Sequence, residues 1–308
     1  MGVAAMALLM ATSCESGDKD FGYDGETAVY FSNSGSDRIL ELGEDQEADL
    51  TDDNNHIVNI KAFVAGGYGN SNDVKVDYVI DPALCDGYNI NGAAIDVMPS
   101  NYYEVQNPNQ FTIASGQLLG GVKVKLTDAF FEDAKSWESG YVIPVKLTKA
   151  EGVSKILSGK DMTFYRVKFV NPWTATYLRK GKDVINGTES HRCFQYVEKA
   201  EVIKVVTKGL NKSQVTVAFK DAAGNAHNVD LLLTFNGDDC TISSNTNGVE
   251  VSGSGKFVKK DQLMGEFKRN TLYLNYNVKS ADLGTIETTD TMVVRNRGIE
   301  FKTFVPKK

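Results

Sequence analysis

The chain has 308 residues, of which 42% are hydrophobic and 24% charged, and its formal net charge at pH 7 is −7. This length allows two domains of ordinary size, and the composition is typical of a globular protein. The negative charge disfavours nucleic acid and anionic lipid surfaces as partners, because both attract basic proteins. Only three histidines occur, which leaves little material for histidine-based chemistry.

The first residues predict an export signal that ends in a lipid-attachment site. Residues 2–10 form a short apolar run, and the small residues 11–13 lead directly into Cys14. This order is typical of a bacterial lipobox, in which the cysteine is acylated and becomes the mature N-terminus. We therefore predict a lipoprotein signal over residues 1–14 and a flexible tether over residues 15–25. A core cysteine in a short N-terminal helix is the alternative.

The predicted tether is acidic, with Glu15, Asp18 and Asp20 close behind the cysteine. It resembles the export signal that sends Bacteroidetes lipoproteins to the outer face of the outer membrane. No later stretch has the roughly 18 consecutive apolar residues that a membrane-spanning helix requires. We therefore expect an outer-membrane protein that faces the cell exterior and is held by lipid on Cys14.

Three other cysteines are present: Cys85, Cys193 and Cys240. With Cys14 acylated, this odd number allows at most one disulfide within the chain. Cys193 and Cys240 are the pair that falls within one predicted domain, and an oxidising compartment permits such a bond. Buried free thiols are the alternative.

From residue 27 onward, apolar and polar residues alternate in short segments. The segment HIVNIKAFV, for example, places Val58, Ile60 and Val64 on one face of a strand. Segments rich in Gly, Asn and Asp separate these runs, as expected for turns. The pattern predicts a β-sandwich over residues 26–170.

Two segments of this region depart from simple alternation. Pro144, inside YVIPVKL, lacks the amide that a sheet requires, so we expect an edge strand or a bulge there. The segment DAFFEDAKSW, at residues 128–137, places apolar residues at helical spacing and predicts a short helix.

Asn171-Pro172 marks a boundary, because proline disfavours a helical conformation in the residue before it. Residues 171–308 again alternate and predict a second antiparallel β domain, either a sandwich or a barrel. The segment GSGK, at residues 253–256, resembles part of a phosphate-binding loop, but Phe257 occupies the position where Ser or Thr would bind magnesium. We interpret this segment as a hairpin turn.

Catalytic and metal-binding motifs are missing from the sequence. It contains neither the H-E-x-x-H zinc motif nor the G-x-S-x-G serine motif. The acidic stretch at residues 43–55 lacks the spacing of a calcium-binding EF-hand and is interpreted as a solvated loop. We therefore predict a non-catalytic protein without a metal or another cofactor.

Aromatic residues next to turns are the remaining candidates for a binding site. Sugars are recognised by flat rings that contact their C–H faces and by amide and carboxylate groups that bind their hydroxyls. The glycan-binding candidates are Tyr68, Tyr102, Tyr103 and Trp137. For each of them a core aromatic at a strand end is the alternative.

The order of these segments, from TAVYFSNSG through YVIPVKLTKAEG to TFYRVKFVNP, carries a family resemblance. Residues 26–170 resemble the N-terminal module of Bacteroidetes surface lipoproteins known as domain of unknown function 1735, an immunoglobulin-like β-sandwich. The rest, beginning near WTATYLRKGKDV, resembles its β-rich C-terminal partner domain. The resemblance implies a polysaccharide-utilisation locus, with a SusC/SusD-like uptake complex as partner.

Our first hypothesis is a non-catalytic cell-surface lipoprotein that binds an oligosaccharide or polysaccharide in support of glycan uptake. Its partners would be the glycan and, through the acylated cysteine, outer-membrane lipid. The alternative is a structural or adhesin-like surface protein with a protein partner and no small ligand. A β-sandwich hydrolase is a third hypothesis. Exposed aromatics clustered with Asn, Asp or Arg would favour glycan binding.

Overall fold

The computed structural model describes residues 25–45, 48–66, 70–185, 187–193 and 196–308. Its regular structure is almost entirely β-strand, arranged in two domains, which confirms the predicted all-β class. Cys14, the predicted signal, nearly all of the tether and Tyr68 lie outside the described residues, so the predictions about them stay predictions. Within these ranges no helix has the length and apolar character needed to cross a bilayer.

The first domain consists of short strands and a few helical turns. Its strands are β1 (Ala28–Tyr30), β2 (Gly35–Glu41), β3 (Ile57–Ala65), β4 (Val74–Ile80), β5 (Asn89–Ile90), β6 (Ala93–Ala94), β7 (Tyr103–Val105), β8 (Gln110–Ile113), β9 (Leu119–Leu126), β10 (Tyr141–Glu151), β11 (Lys155–Ile156) and β12 (Met162–Val170). Its helices are α1 (Thr51–Asn54), α2 (Asp128–Glu132) and α3 (Lys135–Glu138), with 3₁₀ turns at Pro82–Cys85 and Ser100–Tyr102.

Ten of these strands form the two facing sheets of the predicted sandwich, and β5 pairs with β6. One sheet has the order β11-β1-β3-β9-β7, and the other contains β2-β12-β10-β4-β8. The rows β1-β3-β9-β7 and β12-β10-β4 correspond to the ABED and GFC strands of an immunoglobulin domain. Val58 and Ile60 from one sheet and Ile143 and Val145 from the other are buried in one core. The alternating pattern therefore predicted the core face correctly.

Pro144 does not lie in an edge strand, so that alternative was wrong, whereas its strand does have a bulge, between Leu147 and Lys149. It lies in β10, which has β12 on one side and β4 on the other. The missing amide faces the β4 side, as does the amide of Val142, which donates to Asp96 O at 2.8 Å. Pairing with β4 begins only at Val145, opposite Ile80. The missing amide of Pro144 therefore lies between the segment that pairs with Val142 and the start of the pairing with β4. No hydrogen bond between strands is lost there.

The second domain is a closed barrel. Its strands are β13 (Ala175–Ile185), β14 (Thr188–Arg192), β15 (Glu201–Gly209), β16 (Lys212–Lys220), β17 (Ala226–Asn236), β18 (Asp239–Ser244), β19 (Val249–Met264), β20 (Phe267–Ser280) and β21 (Gly284–Asn296), with a 3₁₀ turn at Val197–Lys199. Eight strands form the barrel, and β13 closes it by pairing with β21. Of the two predicted alternatives, the barrel is therefore correct. Closure leaves few open edges for unwanted pairing.

The segment GSGK lies inside β19, so its interpretation as a hairpin turn was wrong. A Cβ atom on Gly253 would lie 2.3 Å from Asn275 O and 2.4 Å from Tyr276 Cβ. A Cβ atom on Gly255 would lie 2.6 Å from Leu274 Cδ2. The two glycines are therefore needed for close packing of the barrel wall against β20, not for a turn or for phosphate binding.

The cysteines Cys85, Cys193 and Cys240 are all free thiols, so the disulfide that the sequence left open does not form. Burial raises the pKa of Cys85 to about 11 and that of Cys240 to about 12. Both thiols are therefore protonated at neutral pH and behave as small apolar groups.

After the barrel, the chain returns to the first domain, and we call residues 298–308 the C-terminal strap. The strap adds β22 (Lys302–Thr303) beside β2, and the backbones of Asn89 and Lys307 exchange two hydrogen bonds of 2.7 and 2.9 Å. Phe304 packs in the space that the missing side chain of Gly35 leaves, where a Cβ atom would lie 2.5 Å from its ring. The last residues of the predicted second domain, residues 171–308, thus add a strand to a sheet of the first domain.

We expect Gly253→Ala to destabilise the barrel, because the added methyl group cannot fit against β20. The free energy of unfolding should fall by about 1–3 kcal/mol, as is typical of an overpacked interior. Ser254→Ala is the matched control, since the neighbouring Ser254 is exposed and should tolerate the change. Urea denaturation of both variants gives the comparison. Equal stability of the two variants would contradict this account of the glycine pair.

Candidate functional site

A groove of about 410 Å³ lies on the first domain where β2, β3, α1 and the C-terminal strap meet. We call it the strap groove, and its volume is within the range of about 300–1,000 Å³ that is usual for ligand sites. Its lining residues are Ser32, Asn33, Ser36, Arg38, Asp49, Asp52, Asp53, Ile57, Asn59, Lys61, Phe63, Tyr165 and Phe301.

The alternation of β3 supplies one wall of this groove. Val58 and Ile60 face the core, whereas Asn59, Lys61 and Phe63 point to the opposite face. Because successive side chains of a strand point to opposite faces, β3 contributes both to the core and to the wall of the groove.

A buried carboxylate fixes α1 against β2. The side chain of Asp53 is 3% exposed and forms an ion pair with Arg38. Its Oδ2 atom also accepts a hydrogen bond of 2.8 Å from the backbone amide of Glu41. Burial raises the pKa of Asp53, although the Glu41 amide and the Arg38 guanidinium both act to lower it. Asp53 therefore organises this wall rather than offering a free carboxylate to a ligand.

Two further carboxylates lie on the open side of the groove. Asp52 Oδ2 accepts a hydrogen bond of 2.7 Å from Asn59 Nδ2. Asp49 Oδ1 accepts hydrogen bonds of 2.6 and 3.0 Å from the hydroxyl and amide of Thr51, which lower the pKa of Asp49. Both aspartates are exposed, and both are bonded here to neutral groups.

Three aromatic rings complete the groove. Phe63 packs against Tyr30 with a centroid distance of 6.0 Å, and Tyr165 is half-buried, with a pKa that burial raises. Phe301, in the strap, is 64% exposed. Phe301 is therefore the ring in this groove that is most available to a ligand.

Three other clefts on the molecule contain no aromatic ring. One is lined by Lys146, Leu147, Thr148, Ile156, Ser158 and Asp161, and the other two lie at the ends of β19, β20 and β21. Across the described residues, no group of three or more His, Cys, Asp or Glu side chains is placed to hold a metal ion. The strap groove is therefore the cleft among these whose chemistry suits a polyhydroxylated ligand with apolar faces.

The predicted site residues Tyr102, Tyr103 and Trp137 do not line the strap groove. All three are partly buried against the core of the first domain. Tyr102 donates a hydrogen bond of 2.8 Å to Asp133, and the Trp137 ring meets Phe169 edge-on at 5.9 Å. This arrangement corresponds to the alternative of core aromatics, and a role for these residues in glycan binding stays a prediction.

The residues that form the groove were missed by the sequence analysis. The polar face of β3, with Asn59 and Lys61, was visible in the alternation that revealed its core face. Phe301 gave no such signal, because it lies far along the chain and reaches the groove only through the pairing of β22 with β2.

A second polar cluster lies inside the barrel, but its charges are paired. Asp290 is buried and binds Arg179 at 3.0 Å, Arg192 at 2.5 Å and the hydroxyl of Tyr276 at 2.9 Å. Arg192 also pairs with Asp183. We interpret this cluster as a structural network that ties β13, β14, β20 and β21 together.

Arg297 connects the barrel to the first domain directly before the strap. Its guanidinium donates hydrogen bonds of 2.8 Å to Leu42 O and Asn171 O and one of 3.2 Å to Thr174 O. Its Nε also lies 2.9 Å from Glu41 Oε1, which accepts no hydrogen bond in the described part of the chain, so this contact is electrostatic. Burial lowers the pKa of Arg297 and raises that of Glu41.

We expect Arg297→Ala to loosen the strap and lower the free energy of unfolding by about 3 kcal/mol, because it removes three hydrogen bonds to backbone carbonyls and leaves Glu41 without its ion-pair partner. Arg295→Ala is the matched control, since Arg295 is exposed. Denaturant unfolding measures the stability, and hydrogen–deuterium exchange of residues 298–308 measures the strap. Exchange in the strap that is unchanged by Arg297→Ala would contradict this role.

The fold and the groove together define a two-domain β protein, an immunoglobulin-like sandwich joined to a barrel. Family models match both halves: one described as "Domain of unknown function (DUF5627)" matches residues 172–298, and one described as "-like, N-terminal domain" matches residues 23–154. A protein of unknown function from Bacteroides ovatus, with a crystal structure at 2.40 Å, is 35% identical, with a TM-score of 0.85. The match covers 92% of this chain and 99% of that one. The chain therefore belongs to the family of this Bacteroides protein.

A second crystal structure, of a two-domain protein with unknown function from Bacteroides fragilis, is 14% identical with a TM-score of 0.29. That match covers 91% of this chain and 92% of the other. None of the curated proteins is significantly similar in sequence.

Proposed function

We propose that this protein is a lipid-anchored cell-surface protein that binds an oligosaccharide or polysaccharide, without cleaving it, in support of glycan uptake. The observation that carries the proposal is the strap groove, which combines three aromatic rings with amide, carboxylate, guanidinium and ammonium groups. Rings contact the apolar faces of sugars, and the polar groups bind their hydroxyls.

The carboxylates of the groove support binding rather than hydrolysis. Glycosidases use a pair of carboxyl groups, one as the acid and one as the base or nucleophile. Here Asp53 is buried and already bonded to Arg38 and the Glu41 amide. Asp49 has its pKa lowered by Thr51, which is opposite to what a general acid requires.

The proposed anchor is the cysteine of the lipobox-like sequence, Cys14, followed by the acidic tether. The proposed assignment of residues 26–170 to domain of unknown function 1735, and of the protein to a polysaccharide-utilisation locus with SusC/SusD-like partners, rests on the resemblance described above. A relative from Bacteroides ovatus supports this bacterial setting. The proposed location is the outer membrane, facing the cell exterior.

One observation favours the alternative of an adhesin-like protein with a protein partner. The β19–β20 hairpin continues past the barrel wall, and its tip exposes 63% of Leu263 and 60% of Phe267. Exposed apolar residues at a hairpin tip are typical of a docking surface. In this alternative, substitutions at the hairpin would abolish function and substitutions in the strap groove would not.

Affinity electrophoresis of the full chain in gels that contain single polysaccharides tests the proposed function. We expect at least one polysaccharide to retard the protein, and Asn59→Ala to weaken this binding by about two- to tenfold, the usual effect of one lost hydrogen bond. Asn275→Ala, on the exposed face of the barrel, is the matched control. Failure of every polysaccharide to retard the wild-type chain would overturn glycan binding.

A separate experiment tests the anchor. We expect Cys14→Ala to move the protein from the membrane fraction to the soluble fraction, because the variant has no thiol for acylation. Cys193→Ala, which changes another free thiol, should stay with the membrane. A Cys14→Ala variant that remains with the membrane would refute lipid anchoring.

A further inference from the structure

The charges that remain open in the strap groove are net negative. Arg38 and Asp53 neutralise each other as an ion pair. Among the described residues, the hydrogen-bond donors to Asp49 and Asp52 are neutral: the hydroxyl and amide of Thr51 and the side chain of Asn59. Lys61 is exposed and forms no ion pair with the described residues. Among the lining residues, two carboxylates without an ion-pair partner are therefore set against one ammonium group.

The protein as a whole has the same sign, with a net charge of −7. A ligand that carries uronate or sulfate groups would meet a negative groove on a negative protein and would be repelled. Binding would also place the anionic groups of the ligand next to Asp49 and Asp52 and remove water from all of these charges. An uncharged sugar chain is not repelled, and its hydroxyl groups can replace bound water by donating hydrogen bonds to Asp49 and Asp52.

The backbone of the strap is held on both sides of Phe301. Arg297 holds the chain on one side of it through three carbonyl groups. Phe304 holds the other side, since its ring lies against Gly35 and its centroid is 5.1 Å from the Arg166 guanidinium carbon. A segment held at two points loses little backbone freedom when a ligand binds, which favours affinity.

We propose that the strap groove selects uncharged pyranose chains over polyanionic glycans, and that Phe301 is the ring on which a sugar stacks. This inference rests on the proposed function and names the ligand class of the same site. The groove contributes acceptors through Asp49 and Asp52, donors through Asn59 and Lys61, and an apolar face through Phe301.

The test compares two panels of polysaccharides by affinity electrophoresis of the full chain. The uncharged panel is amylopectin, galactomannan, xyloglucan and mixed-linkage β-glucan, and the polyanionic panel is polygalacturonate, chondroitin sulfate and heparin. We expect retardation by one or more uncharged polymers and by none of the polyanions. Asp49→Asn combined with Asp52→Asn should raise retardation by polyanions, because it removes two negative charges.

The role of the ring is tested with a matched pair of phenylalanines. Phe301→Ala should weaken binding to the retained uncharged polymer by about five- to tenfold, the usual effect of one lost aromatic contact. Phe267→Ala is the control, since Phe267 is similarly exposed at 60% but lies on the hairpin outside the groove. Phe301→Tyr keeps the ring and should restore binding, and an unchanged melting temperature would show that the fold is intact.

The possible results separate three claims: the ligand class, the stacking role of Phe301 and glycan binding itself. Stronger retardation by polyanions than by uncharged polymers would overturn the inferred ligand class and leave glycan binding in place. Equal effects of Phe301→Ala and Phe267→Ala would overturn the stacking role. No retardation by any polymer of either panel would overturn the proposed function, and the inference with it.

Discussion

The buried guanidinium of Arg297 is the contact on which the arrangement of the chain depends. It binds the carbonyl of Leu42 in the first domain and those of Asn171 and Thr174 at the domain boundary. Burial lowers the pKa of Arg297 and raises that of its neighbour Glu41, because the charged form of each group loses contact with water. The Arg297 guanidinium fixes the relative positions of these three carbonyl groups, because it donates several hydrogen bonds in fixed directions. After Arg297 the chain leaves the barrel and continues along the first domain.

That path brings the last residues of the chain back to the first domain. The strap supplies β22 to the edge of β2, packs Phe304 over Gly35 and places Phe301 at the groove. The groove wall on the other side comes from β3, whose inward residues build the sandwich core. The strap groove is therefore lined by segments of the first domain and by a segment that follows the barrel in sequence. The barrel therefore supports the proposed site by positioning the strap, even though its own interior network around Asp290 is structural.

Local patterns predicted the local structure well. Alternation in HIVNIKAFV gave the core face of β3, and the helical spacing of DAFFEDAKSW corresponds to α2 and α3, with Phe130 and Phe131 buried. Local patterns did not predict features that depend on contacts between segments far apart in the sequence. Pro144 is tolerated because of where β4 begins, Gly253 is required by the approach of β20, and Phe301 reaches the groove through β22. A ring beside a turn, such as Trp137, looks the same in sequence whether it packs inward or faces solvent.

The central claim is that a glycan binds in the strap groove. Hydrogen–deuterium exchange of the full chain, with and without a polysaccharide that retards it, tests this claim most directly. With the polysaccharide bound, we expect slower exchange of the backbone around α1, along β3 and in the strap near Phe301. Exchange at the β19–β20 hairpin should not change. Protection at the hairpin or on the barrel wall, with none in the strap groove, would contradict the claim.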